Sequence, residues 1–392
     1  MTQPSEPLHV SANTHQPLRI AVVGCGFISD IYFQNLLTFS DVQLVACADL
    51  NREQASRAAE KYGVKLVLTP AEAYAHPDID LILNLTNPAA HAEVSLAALQ
   101  GGKHVYNEKP LALALADAEA MASLAAAKGL RIGCAPDTVL GAGLQTCREL
   151  VESGVIGDPV AATAFMANHG HESWHPQPDF YYQPGAGPLF DMGPYYLTAL
   201  VNIMGPVERV SGMARASFAE RTITSQPRAG EKVEVNTPTH IAGQLAFGSG
   251  AIATLITSFD IWGSKLPLLE IHGTLGSLSL PDPNTFGGPV QLKRAGGEWE
   301  DVPVTRPYSE NSRGLGVAEL ARAVQEDRPH RASGEVAFHV LEVMHAVLKS
   351  ATDRAEVMVN SRPQIPHTMD AHPLPSRAAA PVQHAEKEVA HD

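Results

Sequence analysis

Cysteine is scarce. The four thiols in 392 residues, Cys25, Cys47, Cys134 and Cys147, form no C-x-x-C pair. That leaves no disulfide framework and no zinc spacing to read, and it suits small core residues in a reducing compartment. Long apolar runs are missing too: none approaches the roughly 20 residues that a membrane-spanning helix needs. Basic residues are outnumbered, 28 Lys and Arg against 42 Asp and Glu, for a formal net charge of −14. An acidic surface repels phosphate backbones and anionic lipids, so neither nucleic acid nor a membrane is expected as a partner. The opening MTQPSEPLHVSANTHQP has no basic region, apolar stretch or paired arginines. Residues 1–17 are therefore expected to be a disordered lead and not a signal, with a cytoplasmic location. What the chain does have is an ordinary 45% of hydrophobic residues and a length above what one core usually supports, so two domains are expected.

β-branched apolar runs at 18–23, 42–48, 66–68, 81–85, 104–106 and 131–134 alternate with helical stretches near 27–38, 51–62, 70–75, 89–100 and 114–128. Strand and helix at this spacing mean βαβ units around a parallel sheet covered on both faces. After about residue 138 the rhythm changes. A helix near 142–153, a strand at 159–166 and a helix at 191–204 precede long alternating runs at 206–217, 231–247, 250–260, 266–272 and 276–280, with Gly248-Ser249-Gly250 as a hairpin turn. Helices near 314–326 and 335–350 follow, and residues 362–392, rich in Pro, Ala and His, are expected to be a disordered tail. The expected fold is α/β. An N-terminal Rossmann-type doubly wound parallel sheet (18–138) precedes a C-terminal α+β domain with a largely antiparallel open sheet (139–355).

Gly24-Cys25-Gly26-Phe27-Ile28-Ser29 opens a helix directly after a strand. This is G-x-G-x-x-G/A with serine in the last place. The first glycine permits the tight turn, the second lets backbone approach a pyrophosphate, and the helix N-terminus, with Phe27 and Ile28, favours the phosphates' negative charge. Asp49 ends the second strand, where a carboxylate accepts the ribose hydroxyls and repels a 2′-phosphate; this favours NAD, although Arg52 leaves NADP open. Asp49 would also serve as the N-cap of the helix starting near Asn51. Glu108-Lys109-Pro110 follows the fifth strand, at the carboxyl edge where such sheets bind ligands, so Lys109 is expected to point at the reactive end of a cofactor.

Together Gly24-x-Gly26, Asp49, Thr86-Asn87-Pro88 with His91, Glu108-Lys109-Pro110 and Gly185-Ala-Gly-Pro-Leu-Phe-Asp191-Met-Gly193-Pro-Tyr195 resemble the Gfo/Idh/MocA oxidoreductases over roughly residues 18–350. The resemblance implies hydride transfer between a nicotinamide and a carbinol of a sugar or cyclic polyol. It implies that Glu108 contacts the nicotinamide ribose, that Thr86, Asn87, Pro88 and His91 lie beside the cofactor, that Lys109 reaches substrate and nicotinamide together, and that Asp191 binds the substrate hydroxyl. It also implies that the second domain mediates pairing into a homodimer or homotetramer. Two features depart from the family. Tyr195 stands where most members have histidine, and Ala135-Pro136-Asp137-Thr138 replaces an arginine-containing segment. Both concern substrate contacts.

Lys109 takes the general acid/base role if desolvation and the nicotinamide's charge lower its pKa; Tyr195 is then the hydrogen-bond or relay partner, and Asp191 orients the hydroxyl. Asp191 and Tyr195, four apart at a helix start, would share one face. The alternatives are an N-cap for Asp191 and a packed aromatic for Tyr195. In His169-Gly-His171-Glu172-Ser-Trp174-His175 the spacing matches no zinc pattern, so a substrate loop is preferred, with Trp174 stacking on a sugar ring, the histidines bonding hydroxyls, and Asp179, Tyr181 and Tyr182 nearby; a plain polar loop is the alternative. The same motifs would serve an NAD-dependent glycosidase-like enzyme that oxidises a sugar transiently. A non-catalytic NAD-binding sensor fits less well, because it has no need of Lys109.

Overall fold

The computed structural model describes residues 16–377; residues 1–15 of the lead expected at 1–17 and the end of the expected tail, 378–392, lie outside the described residues. Six strands, β1 (Leu18–Val23), β2 (Val42–Ala48), β3 (Leu66–Leu68), β4 (Leu81–Asn84), β5 (His104–Asn107) and β6 (Ile132–Cys134), form a parallel sheet in the order β3-β2-β1-β4-β5-β6. Helices α1 (Ser29–Leu36), α2 (Arg52–Tyr62), α3 (Pro70–Ala75), α4 (His91–Gln100) and α5 (Leu115–Lys128) connect them. Ile20, Ala21 and Val22 of β1 and Leu81, Ile82 and Leu83 of β4 are fully buried, as central strands covered on both faces must be. The strand order reverses between β1 and β4, which opens a crevice at their carboxyl ends. The expected Rossmann-type sheet is therefore present.

The second half contains α6 (Ala142–Glu152), β7 (Pro159–Ala167), α7 (Gly187–Asp191), α8 (Gly193–Met204), β8 (Val207–Arg215), β9 (Glu220–Thr222), β10 (Lys232–Glu234), β11 (His240–Phe247), β12 (Ile252–Ser258), β13 (Leu269–Gly273), β14 (Gly276–Ser279), β15 (Val290–Arg294), β16 (Trp299–Val302), α9 (Leu315–Gln325), α10 (Gly334–Asp353) and β17 (Val357–Met358). Nine strands build one open sheet, β16-β15-β14-β13-β7-β12-β11-β8-β17. It is antiparallel except where β7 and β12 run parallel, because the chain leaves the sheet for α7 and α8 before returning. α10 lies over one face, where Gly212 N donates to Ser350 Oγ at 2.9 Å.

Several details differ from the sequence reading. The helix expected at 191–204 begins two residues later as α8, and a short separate helix, α7, ends just before it with a break at Met192. The run 231–247 is two strands: Pro238 interrupts it, β10 pairs with β9 in a separate ribbon, and β11 enters the main sheet. The hairpin β15–β16 around Gly296 was not foreseen. Residues 362–377 are irregular but packed, in contrast to the expected disordered tail: Ser376 bridges Phe39, Arg377 N donates to the Thr38 carbonyl at 2.7 Å, and Met369 is buried. Composition hides this because a strap needs only a few anchors. α9 packs back against the first sheet beside β6 and α1, so the residues preceding it lie between α1 and the turn after β6.

Candidate active site

The dinucleotide loop is shaped by backbone geometry. Gly24 has φ +94°, and a Cβ there would lie 2.7 Å from the Leu85 carbonyl carbon, so only glycine fits. A Cβ on Gly26 would meet nothing nearer than Gln54 Nε2 at 3.8 Å, which leaves open space over the N-terminus of α1. Ser29, in the third small-residue place, is buried and donates its hydroxyl to the Gly26 carbonyl at 2.7 Å. Phe27 is fully exposed at the tip. Asp49 accepts from Cys25 N and Asn51 N, each at 2.8 Å. It does not cap α2; Asn51 does, accepting from Glu53 N and Gln54 N. A carboxylate has about four acceptor positions, so two remain for ribose hydroxyls. An open glycine cradle, a helix start with unpaired amides and a carboxylate at the end of β2 fit a nicotinamide dinucleotide.

The Thr86-Asn87-Pro88 turn borders the crevice. His91, expected beside the cofactor, is fully buried beneath this turn. Its ring nitrogens face the Pro110 carbonyl at 2.7 Å and the Thr86 carbonyl at 3.1 Å, and burial lowers its pKa. His91 thus ties the turn after β4 to the turn after β5 and acts by positioning both. Glu108 accepts from Tyr32 Oη at 2.7 Å and from Lys109 N at 3.0 Å.

Lys109 reaches across to the second half. Its Nζ donates to the Asp191 carbonyl at 2.8 Å and pairs with Asp191 Oδ1 at 3.1 Å, and it stands 5.4 Å from the centroid of the Tyr195 ring. Asp191 Oδ2 is 3.3 Å from His171 Nε2. Burial pushes the Lys109 ammonium downward, but Asp191, with Tyr195 and Glu108, outweighs it and holds the pKa above its usual value. The lowering anticipated from desolvation does not prevail, because the partner carboxylate sits in the same buried space. Asp191 is held at about 2: burial raises it, while Lys109 and His171 lower it further. Asp191 is the last residue of α7 and makes no cap; Tyr195 lies in the first turn of α8, buried, with its pKa raised by burial.

The segment 169–182 divides. His171 stacks on Tyr181 at 3.7 Å and meets Phe259 edge-on, so its ring is held against Asp191. His175 joins Trp174, Phe180 and Tyr181 in an aromatic array next to it, with Trp174 62% exposed. His169 stacks on Trp262 instead. Glu172 is paired with Arg221 at 2.8 Å and accepts from Tyr182 Oη at 2.6 Å, and Asp179 is paired with Arg228. Those groups hold the loop. Sequence reasoning missed Arg313, whose guanidinium donates to Asn311 Oδ1 at 2.9 Å and Asn284 Oδ1 at 2.7 Å and whose charge, with that of Lys109, opposes the burial that raises the Tyr195 phenol. Only the glycine after it, Gly314 at φ +101°, hinted at a special turn.

Model matches divide the chain in the same way. Residues 18–135 match an oxidoreductase family with an NAD-binding Rossmann fold, and residues 144–279 match the GFO/IDH/MocA C-terminal domain. The chain is 31% identical over 262 residues to D-glucoside 3-dehydrogenase of Escherichia coli K12, covering 64% of this chain and 73% of that one. It is 27% identical over 341 residues to 1,5-anhydro-D-fructose reductase of Ensifer adhaerens, covering 85% and 96%. In fold it is similar to levoglucosan dehydrogenase in complex with NADH, with a TM-score of 0.77 at 20% identity over 88% of this chain and 100% of that one.

Proposed function

The chain belongs to the Gfo/Idh/MocA family of NAD-binding oxidoreductases, and from that premise we propose that it transfers hydride between a nicotinamide and a carbinol of a sugar, sugar derivative or cyclic polyol, with Lys109 as general acid/base. The observation that carries the reading is the Lys109–Asp191 ion pair at 3.1 Å, formed between the crevice of the first sheet and the second domain. Relatives named for glucosides, inositol and anhydrofructose support the substrate class.

A nicotinamide bound at the carboxyl ends of β1 and β4 supplies the hydride acceptor or donor. The protein's own groups handle the proton and the orientation. Asp191 stays ionised at neutral pH and accepts the substrate hydroxyl as a charged partner. Lys109 donates to the substrate oxygen in its ammonium form, the form that Asp191 favours, which suits reduction of a ketone. Oxidation requires Lys109 to shed that proton first, and Tyr195 is the neighbour suited to relay it. Glu108, braced by Tyr32, would face the nicotinamide ribose, Asp49 would favour NAD over NADP, and Thr86, Asn87 and Pro88 would border the ring. His171 and His175 with Trp174 line the sugar side, and His169, stacked on Trp262, is the remaining candidate hydroxyl partner.

The open sheet face carries exposed Met213 and Ile252, which supports pairing into a homodimer or homotetramer; Met213→Arg should shift the chain towards monomer in size-exclusion chromatography. The test of the function is a panel of sugars and cyclitols assayed with NAD and with NADP. NADH formation from a free sugar or cyclitol supports the reading. Cleavage of an aryl glycoside without net NADH overturns it in favour of transient oxidation.

A further inference from the structure

We propose that Arg221 is a positioning residue: it grips the chain on both sides of His171 and so holds that imidazole against the Asp191 carboxylate. His171 lacks an anchor of its own. Its Nε2 lies 3.3 Å from Asp191 Oδ2. The ionised carboxylate only accepts, so Nε2 is the donor. Nδ1 is buried and has no hydrogen-bond partner among the described residues. A ring bonded through one nitrogen turns unless its neighbours stop it. Tyr181, stacked at 3.7 Å, and Phe259, edge-on at 4.7 Å, are those neighbours. The imidazole also reaches Asp191 from outside that residue's own segment, where position 195 carries tyrosine. His171, in the loop after β7, and Phe259, just past β12, must therefore be fixed relative to each other.

Arg221 ties the two loops together. It is the middle residue of β9 and only 5% exposed. Nη1 donates to the His169 carbonyl at 3.1 Å and to Glu172 Oε1 at 2.8 Å, two residues before His171 and one after it. Nη2 donates to the Phe259 carbonyl and to Asp260 Oδ1. β7 and β12 are parallel neighbours, so the chain leaves both at the same edge of the sheet and one guanidinium reaches both exits. The carboxylates are held in turn: Tyr182 Oη donates to Glu172 Oε2 at 2.6 Å, and Thr239 Oγ1 to Asp260 Oδ2 at 2.7 Å. The bend between the grips is tight. Gly170 has φ +86°, and a Cβ there would lie 2.2 Å from Glu172 Oε2. A planar fork can hold two carbonyls and two carboxylates at once, which an ammonium cannot. Buried charges are a costly way merely to brace a loop, because packed apolar side chains serve as well. What the fork adds is one fixed orientation. With Oδ2 taken by His171 and Oδ1 by Lys109, the Asp191 carboxylate cannot turn, and its remaining lone pairs keep one direction for a substrate hydroxyl.

The substrate hydroxyl in this proposal rests on the dehydrogenase reading, so one arm of the test needs no turnover. Arg221→Lys keeps the buried charge and loses the fork. Carbethoxylation by diethyl pyrocarbonate, followed for each histidine by peptide mass spectrometry, should then speed up at His171 by about tenfold, as local opening becomes easier. The fully buried His91 and His339 should keep their rates. An unchanged rate at His171 overturns the proposal, whatever the substrate is. So does an equal rise at all three, which reports general loosening. Glu172→Gln weakens one grip only and should give a smaller rise, about threefold. In the kinetic arm, Arg221→Lys should lower kcat/KM for the sugar about tenfold, mostly through KM, and leave the NADH dissociation constant, read by fluorescence, within about twofold. In the His171→Gln background the same change should cost less than about twofold, because both residues act through one contact. An equally large loss in that background means Arg221 acts by another route and sinks the idea.

Discussion

The two walls of the crevice hold their functional groups differently. On the Rossmann wall backbone does the holding: Asp49 is fixed by two amides, His91 by two carbonyls, and Glu108 by an amide with Tyr32. Across the crevice side chains hold one another, in a run from Lys109 of the Rossmann wall through Asp191 and His171 to Tyr181 of the second half, with Tyr195 alongside. Backbone anchoring comes from fixed turns and tolerates little change in shape. Side-chain anchoring depends on charge and tolerates little change in ionisation.

The largest expected break in the side-chain run is Lys109→Ala, which should lower kcat/KM by about 10²- to 10⁴-fold, measured as NADH formation on the best substrate of the panel. Near-full turnover would remove Lys109 from the acid/base role. The corresponding break in the first wall is Gly24→Ala. Forced into positive φ against the Leu85 backbone, it should cost about 3 kcal/mol of stability, seen as a lower chemical denaturation midpoint even without cofactor; an unchanged midpoint would mean that the turn relaxes.

Asp137 lies between the two regimes. Burial pushes its carboxyl up to about 6, against the two amides it accepts. A carboxyl whose folded pKa is raised binds its proton more readily when folded, so its contribution is fully present below about pH 4 and is lost as pH rises through about 6. Asp137→Asn keeps an amide-accepting oxygen and removes the titration, and should flatten the change in melting temperature between pH 4 and 6, on the order of 2 kcal/mol. Asp191 has the opposite sign: its depressed pKa contributes stability above about pH 4 that is lost as pH falls through about 2. Asp49→Ala should weaken NAD about tenfold, or ~1.4 kcal/mol, and narrow the gap to NADP, read from KM for each cofactor. The smallest effect expected is Trp174→Ala. Removing a largely exposed stacking face should raise the sugar KM about threefold, under 1 kcal/mol, with KM for NAD unchanged.

The Rossmann wall was the more legible from sequence because its contacts are local or follow from strand order. A glycine pair after a strand, a carboxylate ending the next strand and Glu108-Lys109 after β5 must converge once the strands lie parallel. His91 shows the limit: its motif position was readable, but its burial between two carbonyls was not. On the second wall Asp191 and Tyr195 were found by their segment, yet the short α7 before the expected helix was missed because a five-residue helix has too little periodicity to read. Residues 362–377 were misread because composition reports average polarity, not the few bonds that tie a strap down.

The sequence by itself determined which backbone can exist at Gly24 and Gly26, the alternation that builds each sheet, and the carboxylate and ammonium at the strand ends, since these follow from sterics and short-range periodicity. Tertiary structure alone decided that Asp191 holds the Lys109 ammonium in its charged form and that His171 faces Asp191 while His169 stacks on Trp262. Ionisation and orientation depend on which charges and faces share a buried volume, and that sharing is set by packing between residues distant in the chain.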